Sequence, residues 1–267
     1  MPVITLLTDY GIKDSYVAEV KGAILKISPD AAIVDISHDV GNYDIESGAF
    51  HLARAVPYFP SGTVHVCVVD PGVGSKRKPI IVEARGAWFV GPDNGLMAPA
   101  AERLGVESVW EITNTDMLPP RVSCVFDGRD VFGPTGAHLS MGVPPDKLGA
   151  ETGGMVRLPA YTPRLEGDTV HAQVIHVDGF GNLVTNVTYE TLKKMGVTGD
   201  AGFNVKAGGR ELNLPYARRF SAVPEGEPLL LVAGGGYLEI SVNQGNATEQ
   251  LGLGKGDKIT LRYKKGP

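Results

Sequence analysis

The sequence has little that would suit a membrane, a nucleic-acid surface or an oxidising compartment. It has no run of about eighteen apolar residues, the length that predicts a membrane-spanning helix. It also has no block of basic residues, and its net charge of −5 disfavours nucleic acid, so we expect neither partner. Only two cysteines are present, Cys67 and Cys124, and both lie in apolar strings. We therefore expect buried free thiols and a cytoplasmic protein.

The composition instead indicates a folded globular chain. Apolar residues make up 43% of the 267 residues and charged residues 21%, which excludes a disordered or a collagen-like protein. The 35 glycines and 19 prolines predict many tight turns between short strands. The N-terminal segment MPVITLLTDYG lacks a basic stretch and a cleavage site, so it predicts a first strand rather than a signal peptide.

Strand and helix patterns alternate over residues 1–158, which is typical of a layered α/β domain. Apolar runs predict strands at VITLLTD, AAIVDIS and TVHVCVVD, and PIIVEA with AWFVGP predicts an antiparallel pair. Helical spacing predicts helices after Ser15 and within GNYDIESGAFHLARAV. Polar side chains follow three of the predicted strands: Asp9, Asp70 and the pair Asp93–Asn94. Ligands of such sheets bind beyond the carboxyl ends of the strands, so we expect these side chains at one site.

The character of the sequence changes at RLPAYTPRLEGD, which has two prolines and no periodicity. We interpret residues 159–168 as a linker. Over residues 169–267, strand patterns dominate and turn signals separate them at short intervals, with one short helix at TYETLKKMG. This arrangement predicts a smaller second domain, built as a β-barrel or a sandwich.

The loop VVDPGVGSKR is the densest candidate for a functional site. It fails as a dinucleotide-binding loop because no third glycine and no helix pattern follow, and it fails as a phosphate-binding loop because GxxxxGK is absent. A plain β-turn is one interpretation. The functional interpretation is that Asp70 and Arg77 flank a single cavity that the loop shapes.

His138 and the segment DISHDV are further candidates. His138 follows the turn GPTG in a helical pattern, where it is either a core histidine or a group that exchanges protons with water near neutral pH. Asp35, His38 and Asp39 would suit a two-metal hydrolase together with carboxylates elsewhere, but their spacing matches no metal-binding pattern. We expect no metal, and a solvated loop at DISHDV.

Two glycine-rich turns in the second domain are candidate contacts for a flat heterocycle. In VDGFGNLVTNV, Phe180 offers an aromatic face and Asn182 a carboxamide with a donor and an acceptor. In GGGYLEISVNQGNA, three consecutive glycines permit close approach of a ligand, and Asn243 to Ala247 offer backbone contacts. Each segment alone is equally consistent with a tight turn.

Eight segments, taken in order along the chain, resemble one family. They are TDYG (8–11), SHDV (37–40), NYDIESGAF (42–50), VVDPGVGS (68–75), GPDNGL (91–96), GPTGAH (133–138), DGFGNLVTN (178–186) and GYLEISVNQGNA (236–247). The chain resembles the S-adenosylmethionine (SAM) hydroxide adenosyltransferases, relatives of the fluorinase and chlorinase that use SAM as an electrophile.

The resemblance implies a Rossmann-like N-terminal α/β domain, a C-terminal β-barrel, and a trimer in which SAM lies between the N-terminal domain of one subunit and the C-terminal domain of its neighbour. SAM is then the substrate, and no cofactor is expected. Family members that hydrolyse SAM carry an Asp-Arg-His set that handles water, and by motif position this set falls on Asp70, Arg77 and His138. Halogenases have a tyrosine in place of Asp70, so the aspartate favours water over halide as the nucleophile.

The resemblance also assigns substrate contacts. Asp9 aligns with the aspartate that holds the ribose, Tyr43 with an aromatic wall near the sulfonium, and Asp178 with the aspartate that binds the methionine amino group. The other positions implied for substrate binding, mainly around the adenine, are Phe180, Asn182, Phe220, Tyr237, Asn243 and Ala247. Gly234–Gly235 replace a Ser-Arg pair of the fluorinase, so backbone amides would have to hold the methionine carboxylate.

The resulting expectation is hydrolysis of SAM to adenosine and L-methionine, by in-line attack of water on the ribose 5′ carbon with Asp70 or His138 accepting the proton. Two alternatives stay open at this point: a module that binds SAM or adenosine with negligible turnover, and a halogenase-type activity. A metal-dependent hydrolase built on the Asp/His cluster is a further alternative, which a chelator would test.

Overall fold

The structure, a computed structural model, describes residues 1–121, 123–159, 162–197 and 201–264. They form two compact units, Met1–Pro159 and Ala160–Pro267. Of the predicted linker, Ala160 and Tyr161 lie outside the described residues. Another part of it, Arg164–Glu166, forms a strand, because its backbone pairs with the following strand across the turn at Gly167.

The first unit is built on a seven-stranded mixed sheet. Its strands are β1 (Val3–Thr8), β2 (Ala32–Ser37), β3 (Thr63–Val68), β4 (Pro79–Ala84), β5 (Ala87–Pro92), β6 (Val106–Ile112) and β7 (Gly149–Glu151). They lie in the order β2-β1-β3-β5-β4-β6-β7. The first four in that order are parallel, and β4, β6 and β7 pair antiparallel. The three predicted strands and the predicted antiparallel pair are thus confirmed.

Helices cover both faces of this sheet. They are α1 (Tyr16–Ile27), α2 (Ile45–Ala55), α3 (Ala98–Leu104) and α4 (Gly133–Ser140), the last continuing from a π-helical turn at Gly128–Phe132. Neighbouring residues of β1 enter separate buried clusters. Leu7 shares one with Leu52 of α2, whereas Leu6 shares another with Val20 of α1. The sheet therefore lies between two helical layers, and the predicted layered α/β fold is confirmed.

The start of α2 shapes a loop beside the sheet. Its predicted segment begins at Gly41, but the helix itself begins at Ile45 because Asp44 caps it. Oδ1 of Asp44 accepts a hydrogen bond from the backbone N–H of Ser47 over 3.0 Å, which satisfies an amide that the first helical turn leaves unpaired. Residues 41–44 therefore form a loop beyond the end of β2.

The second unit is a closed barrel. Its strands are β8 (Arg164–Glu166), β9 (Thr169–Val177), β10 (Leu183–Thr188), β11 (Ala201–Ala207), β12 (Arg210–Tyr216), β13 (Pro228–Val232), β14 (Tyr237–Val242) and β15 (Lys258–Lys264). Strands β9 to β15 form a ring in the order β10-β14-β13-β12-β11-β15-β9, which the pairing of β9 with β10 closes. Two short helices, α5 (Tyr189–Lys194) and α6 (Ala247–Leu251), complete it. Because this ring of strands is closed, the second unit is a barrel and not a sandwich.

The two cysteines differ in their surroundings. Cys67 on β3 is fully buried, as predicted, and burial raises the pKa of its thiol. Cys124 is exposed, so the prediction of a second buried thiol is wrong. Its apolar string SCVFD forms no strand, and the neighbouring Val125 is 70% exposed. Among the described residues, no helix combines the length and the apolar character needed to cross a bilayer.

Candidate active site

A cavity of about 360 Å³ lies in the first unit beyond the carboxyl ends of β1 and β3. The structure brings Asp9 and Asp70 together there, as expected, because adjacent parallel strands end at the same edge of a sheet. The other lining residues are Tyr10, Asp14, Tyr16, Asn42, Tyr43, Val68, Val73, Val125, Asp127 and Gly128.

Asp93 and Asn94, which were expected at the same site, do not line this cavity. Oδ1 of Asp93 accepts a hydrogen bond from the backbone N–H of Val156 over 2.6 Å. Nδ2 of Asn94 donates to the carbonyl oxygen of Val69 over 2.8 Å, directly before Asp70 in the chain. Both side chains therefore bind backbone groups that do not line the cavity.

Asp70 and Arg77 form a bidentate ion pair at the cavity. Nε of Arg77 lies 2.9 Å from Oδ2 and 3.1 Å from Oδ1 of Asp70, and Nη2 lies 2.6 Å from Oδ2. The backbone N–H of Gly72 also donates to Oδ1, over 3.2 Å. The side chains of Asp70 and Arg77 are only 6% and 11% exposed. The loop VVDPGVGSKR thus holds a carboxylate against a guanidinium. Asp70 lines the cavity, whereas Arg77, which was expected to flank it, is not among its lining residues.

The same guanidinium contacts a second carboxylate, which the sequence analysis missed. Nη2 of Arg77 donates to Oδ2 of Asp127, and Nη2 of Arg121 donates to Oδ1. Burial disfavours the charge on Arg77, but its hydrogen bonds to Asp70 and Asp127 outweigh burial and raise its pKa. Arg77 is therefore held as a cation between two carboxylates.

His138 lies away from this network. Its Nε2 is 2.9 Å from the carbonyl oxygen of Met117, and its side chain lines a different cavity between α1 and the segment 116–119. No hydrogen bond or ion pair joins it to Asp70 or Arg77 in the part of the chain that the structure describes. The reason is that His138 lies about three helical turns beyond Asp127. The structure therefore does not bring His138 to Asp70 and Arg77, and Asp127 is the carboxylate that contacts Arg77 there. The catalytic role of the predicted set stays a prediction.

Asp9 fixes the loop that carries Tyr43. Its Oδ2 accepts a hydrogen bond from the backbone N–H of Tyr43 over 2.9 Å. Tyr43 has φ +65°, a left-handed conformation that is costly for a residue with a side chain, and its ring is 68% exposed at the cavity rim. Oδ1 of Asp9 accepts no hydrogen bond from the described residues, so it remains available to a ligand.

An aromatic cluster forms another wall of the cavity. The rings of Tyr10, Tyr16 and Phe126 meet edge to face, with centroids 5.5 to 6.1 Å apart. Burial, reinforced by the carboxylates around the cavity, raises the pKa of the Tyr10 phenol, which therefore stays protonated. Gly128 passes so close to the Tyr10 hydroxyl that a Cβ atom there would collide with it. This close approach explains the glycine directly after Asp127.

The cavity has an acidic lining. Four carboxylates line it, from Asp9, Asp14, Asp70 and Asp127, and no lysine or arginine is among its described lining residues. Arg77 and Arg121 pair with two of these carboxylates from behind. Such a lining attracts a positively charged ligand and repels an anion.

In the second unit, the turn after β9 brings together Asp178, Phe180 and Asn182. Oδ1 of Asp178 accepts hydrogen bonds from the backbone N–H groups of Phe180 and Asn182, and Oδ2 accepts one from Nδ2 of Asn182, each over 2.9 Å. Asn182 is buried, whereas Phe180 is 81% exposed. Asp178 therefore builds the turn that presents Phe180, and its contact with the methionine amino group stays a prediction.

The start of α6 packs against this turn. The backbone N–H of Thr248 donates to the carbonyl oxygen of Gly181 over 3.0 Å. Gly181 has φ +82°, and a Cβ atom there would collide with the side chain of Asn246, so the position requires glycine. Ala247 is fully buried beside it. The predicted adenine contacts at Ala247, Phe180 and Asn182 are thus brought together.

The remaining predicted contacts lie on other parts of the barrel. Phe220 begins a 3-10 turn and is 41% exposed, and Tyr237 begins β14 and is half-buried. Nδ2 of Asn243 donates to the carbonyl oxygen of Val223 over 2.8 Å, which ties the end of β14 to the segment that carries Phe220. The roles of Phe220, Tyr237 and Asn243 in substrate binding stay predictions.

The segment DISHDV braces the cavity beside Asp9 rather than forming a separate metal site. Nδ1 of His38 lies 2.8 Å from Oγ1 of Thr8, and its carbonyl oxygen accepts a hydrogen bond from the N–H of Gly11 over 2.7 Å. These contacts brace the turn that carries Asp9. The side chain of His38 is buried against Asp35, so the expectation of a solvated loop is wrong for His38. Among the described residues, no group of three or more His, Cys, Asp or Glu side chains is arranged to hold a metal.

Fold and site together define a class: an α/β-and-barrel protein with an acidic cavity suited to a small cationic ligand. The model of the SAM hydroxide adenosyltransferase N-terminal domain matches residues 4–149, and that of the C-terminal domain matches residues 172–260. The chain belongs to this family, which confirms the resemblance of its eight segments.

Relatives of known name and structure agree with this membership. The chain is 39% identical to a protein from Salinispora arenicola named (R)-S-adenosyl-L-methionine hydrolase, covering 97% of both. A protein of the same name from Thermus thermophilus is 38% identical, with 98% of this chain and 100% of the relative covered. A fluorinase from Actinopolyspora mzabensis is 27% identical over 97% of both chains. The crystal structure of an uncharacterized conserved protein from Thermotoga maritima matches with a TM-score of 0.93 and 37% identity, covering 97% of this chain and 99% of the other.

Proposed function

We propose that the protein hydrolyses SAM to adenosine and L-methionine by in-line attack of water on the ribose 5′ carbon. The observation that carries the proposal is the Asp70–Arg77 ion pair at a cavity whose lining is acidic. The names of two relatives, at 39% and 38% identity, support the same reaction. The aspartate at position 70 favours water over halide, since the resemblance gives halogenases a tyrosine there.

The reaction requires positioning of the attacking water more than activation of the leaving group. The sulfonium already carries a positive charge, so methionine leaves as a neutral thioether without being protonated. The protein must hold water in line with the C5′–S bond, and such positioning supplies about 7–11 kcal/mol. The carboxylate lining attracts the cationic sulfur. The proposed reaction needs neither a cofactor nor a metal.

We further propose the (R) epimer at sulfur as the preferred substrate, because the curated relatives are named for it. Separated SAM epimers should then be consumed at different rates, with the (R) form faster by at least tenfold. Faster consumption of the (S) form would contradict this assignment and leave the hydrolysis itself untouched.

The reaction is tested by chromatography of SAM incubated with the purified protein and with Asp70→Asn. We expect many turnovers to adenosine within minutes, unchanged by dialysis against a chelator, and a loss of at least 100-fold in the variant. The matched control is Asp146→Asn, which changes an exposed aspartate and should retain full activity. One adenosine retained per site would indicate a binding module, and loss of activity on chelation would indicate a metal-dependent hydrolase.

A homotrimer and a cytoplasmic location belong to the same proposal. The trimer rests on the family resemblance, which implies a site completed by the barrel of a neighbouring subunit. Two exposed aromatic rings support it, since Tyr43 and Phe180 are 68% and 81% exposed in the single chain. Light scattering coupled to size-exclusion chromatography tests the trimer. The cytoplasmic location rests on the free thiols of Cys67 and Cys124.

A further inference from the structure

We propose that Asp127 accepts the proton from the attacking water. This inference rests on the proposed hydrolysis of SAM and assigns the proton to a residue outside the Asp-Arg-His set that the resemblance implies. Asp127 lines the cavity together with Asp70, and its side chain is 8% exposed. It stands at the place beside Arg77 that His138 was expected to take.

The hydrogen bonds made by the two carboxylates distinguish their roles. A carboxylate has about four lone-pair sites. Asp70 accepts from three N–H groups: Oδ2 from Nη2 of Arg77, Oδ1 from the N–H of Gly72, and both oxygens from the single Nε–H of Arg77, which they share. Three donors therefore occupy most of the acceptor sites of Asp70, two of them come from Arg77, and the role of Asp70 is to fix Arg77.

Asp127 keeps more free acceptor capacity than Asp70. Within the described residues, each of its oxygens accepts one hydrogen bond, Oδ2 from Arg77 and Oδ1 from Arg121. About two lone-pair sites remain, on a carboxylate that lines the cavity. Arg77 and Arg121 each donate to one of its oxygens, and the pairing of Arg77 with Asp70 does not depend on Asp127.

The step balances with water and SAM alone. The water oxygen forms a bond to C5′ while the C5′–S bond breaks. The electron pair of the C5′–S bond stays on the sulfur of methionine. The oxygen bound to C5′ then carries an extra proton, which passes to a carboxylate oxygen of Asp127 and later to solvent. The products are adenosine, L-methionine and one proton.

The experiment compares Asp127→Asn, Asp127→Glu and the control Asp146→Asn. Asparagine keeps the shape and one oxygen acceptor for the arginines but cannot take the proton, whereas glutamate keeps a carboxylate. The measurements are kcat as a function of pH, the dissociation constant of SAM by calorimetry, and the thermal midpoint as a check of folding. General-base catalysis contributes about 10²–10⁴-fold.

We expect Asp127→Asn to lower kcat at neutral pH by 10²–10⁴-fold and to change SAM affinity less than threefold. The remaining rate of Asp127→Asn should rise about tenfold per pH unit, because hydroxide replaces activated water. Asp127→Glu should recover part of the activity. Asp127→Asn with kcat within threefold of the unsubstituted protein overturns the assignment. So does an equal loss of affinity and kcat with an unchanged pH profile, which would make Asp127 a positioning residue. If the unsubstituted protein itself releases no adenosine, the proposed hydrolysis of SAM is wrong. This result is distinct from a failure of the Asp127 assignment, which only the variants test.

Discussion

The backbone N–H of Tyr43 donates a hydrogen bond to Oδ2 of Asp9 over 2.9 Å, across 34 residues of chain. This bond joins the turn after β1 to the loop before α2 and holds Tyr43 in its left-handed conformation. One oxygen of Asp9 thus positions Tyr43, and the other, which accepts no hydrogen bond from the described residues, is free for the ribose contact that the resemblance implies.

Substitution of Asp9 separates these two contacts. Asp9→Asn keeps an oxygen acceptor for the N–H of Tyr43 but loses the charge, whereas Asp9→Ala loses both. A hydrogen bond to a charged group contributes about 1.5–3 kcal/mol, so we expect Asp9→Ala to raise KM for SAM by about 10- to 100-fold and Asp9→Asn by less. Steady-state kinetics measure both. Equal effects of the two variants would show that the bond to Tyr43 has no role in binding.

Gly128→Ala tests the close approach of the backbone to Tyr10. The new Cβ atom would collide with the Tyr10 hydroxyl, so we expect a loss of about 1–3 kcal/mol of unfolding free energy, together with lower activity as Asp127 shifts. In a Tyr10→Phe background the nearest remaining ring atom lies at 3.2 Å, so the same glycine substitution should cost less. Urea unfolding of the unsubstituted protein, Gly128→Ala, Tyr10→Phe and the double variant gives the cost of the glycine substitution with and without the Tyr10 hydroxyl. An equal cost in both backgrounds would refute the collision.

His138→Gln tests whether His138 takes part in the reaction. Glutamine keeps a side-chain donor for the carbonyl oxygen of Met117, and the residue lies away from Asp70 and Arg77. We expect kcat for adenosine release within about twofold of the unsubstituted protein, against the large loss in Asp70→Asn. A 100-fold loss in His138→Gln, with the fold intact by circular dichroism, would restore the Asp-Arg-His set.

His65 makes the stability of the first unit sensitive to acid. Its ring is buried between Phe59 and Phe89, Nδ1 lies 2.7 Å from Oγ1 of Thr5, and Nε2 has no partner among the described residues. Burial lowers its pKa from 6.5 to about 4.

The folded state therefore binds fewer protons than the unfolded state between these two pKa values. Stability is complete above pH 6.5 and falls by roughly 3 kcal/mol as the pH drops toward 4. Urea unfolding of the protein and of His65→Gln at pH 7 and pH 4.5 isolates this contribution, because the carboxylates titrate alike in both. An identical pH dependence in the two proteins would contradict it.

The sequence predicts the fold well where one pattern dominates a segment. Helix α1, strand β3 and the β4–β5 pair follow from periodicity and apolar runs, and Asp9 and Asp70 meet because strand ends in a parallel sheet converge. Strand β12 escaped prediction because RELNLPY contains Pro215 near its end and pairs through the backbone, and Leu214 is its only residue in the buried class.

The contact between Asp127 and Arg77 could not be found from motif position alone. His138 has the expected residue type, but its place about three helical turns beyond Asp127 directs it to another cavity, and only packing against α1 reveals this. A local signal for Asp127 does exist, since an acid followed directly by glycine opens the π-helical turn. Whether that acid meets Arg77 depends on contacts across 50 residues of chain, which a sequence pattern does not encode.

The most direct test of the account is incubation of the protein with SAM in water enriched in oxygen-18, followed by mass spectrometry of both products. Attack of water on C5′ with cleavage of the C5′–S bond should place one heavy oxygen in the 5′-hydroxyl of adenosine and leave methionine unlabelled. Unlabelled adenosine, or cleavage of a different bond of SAM, would contradict it.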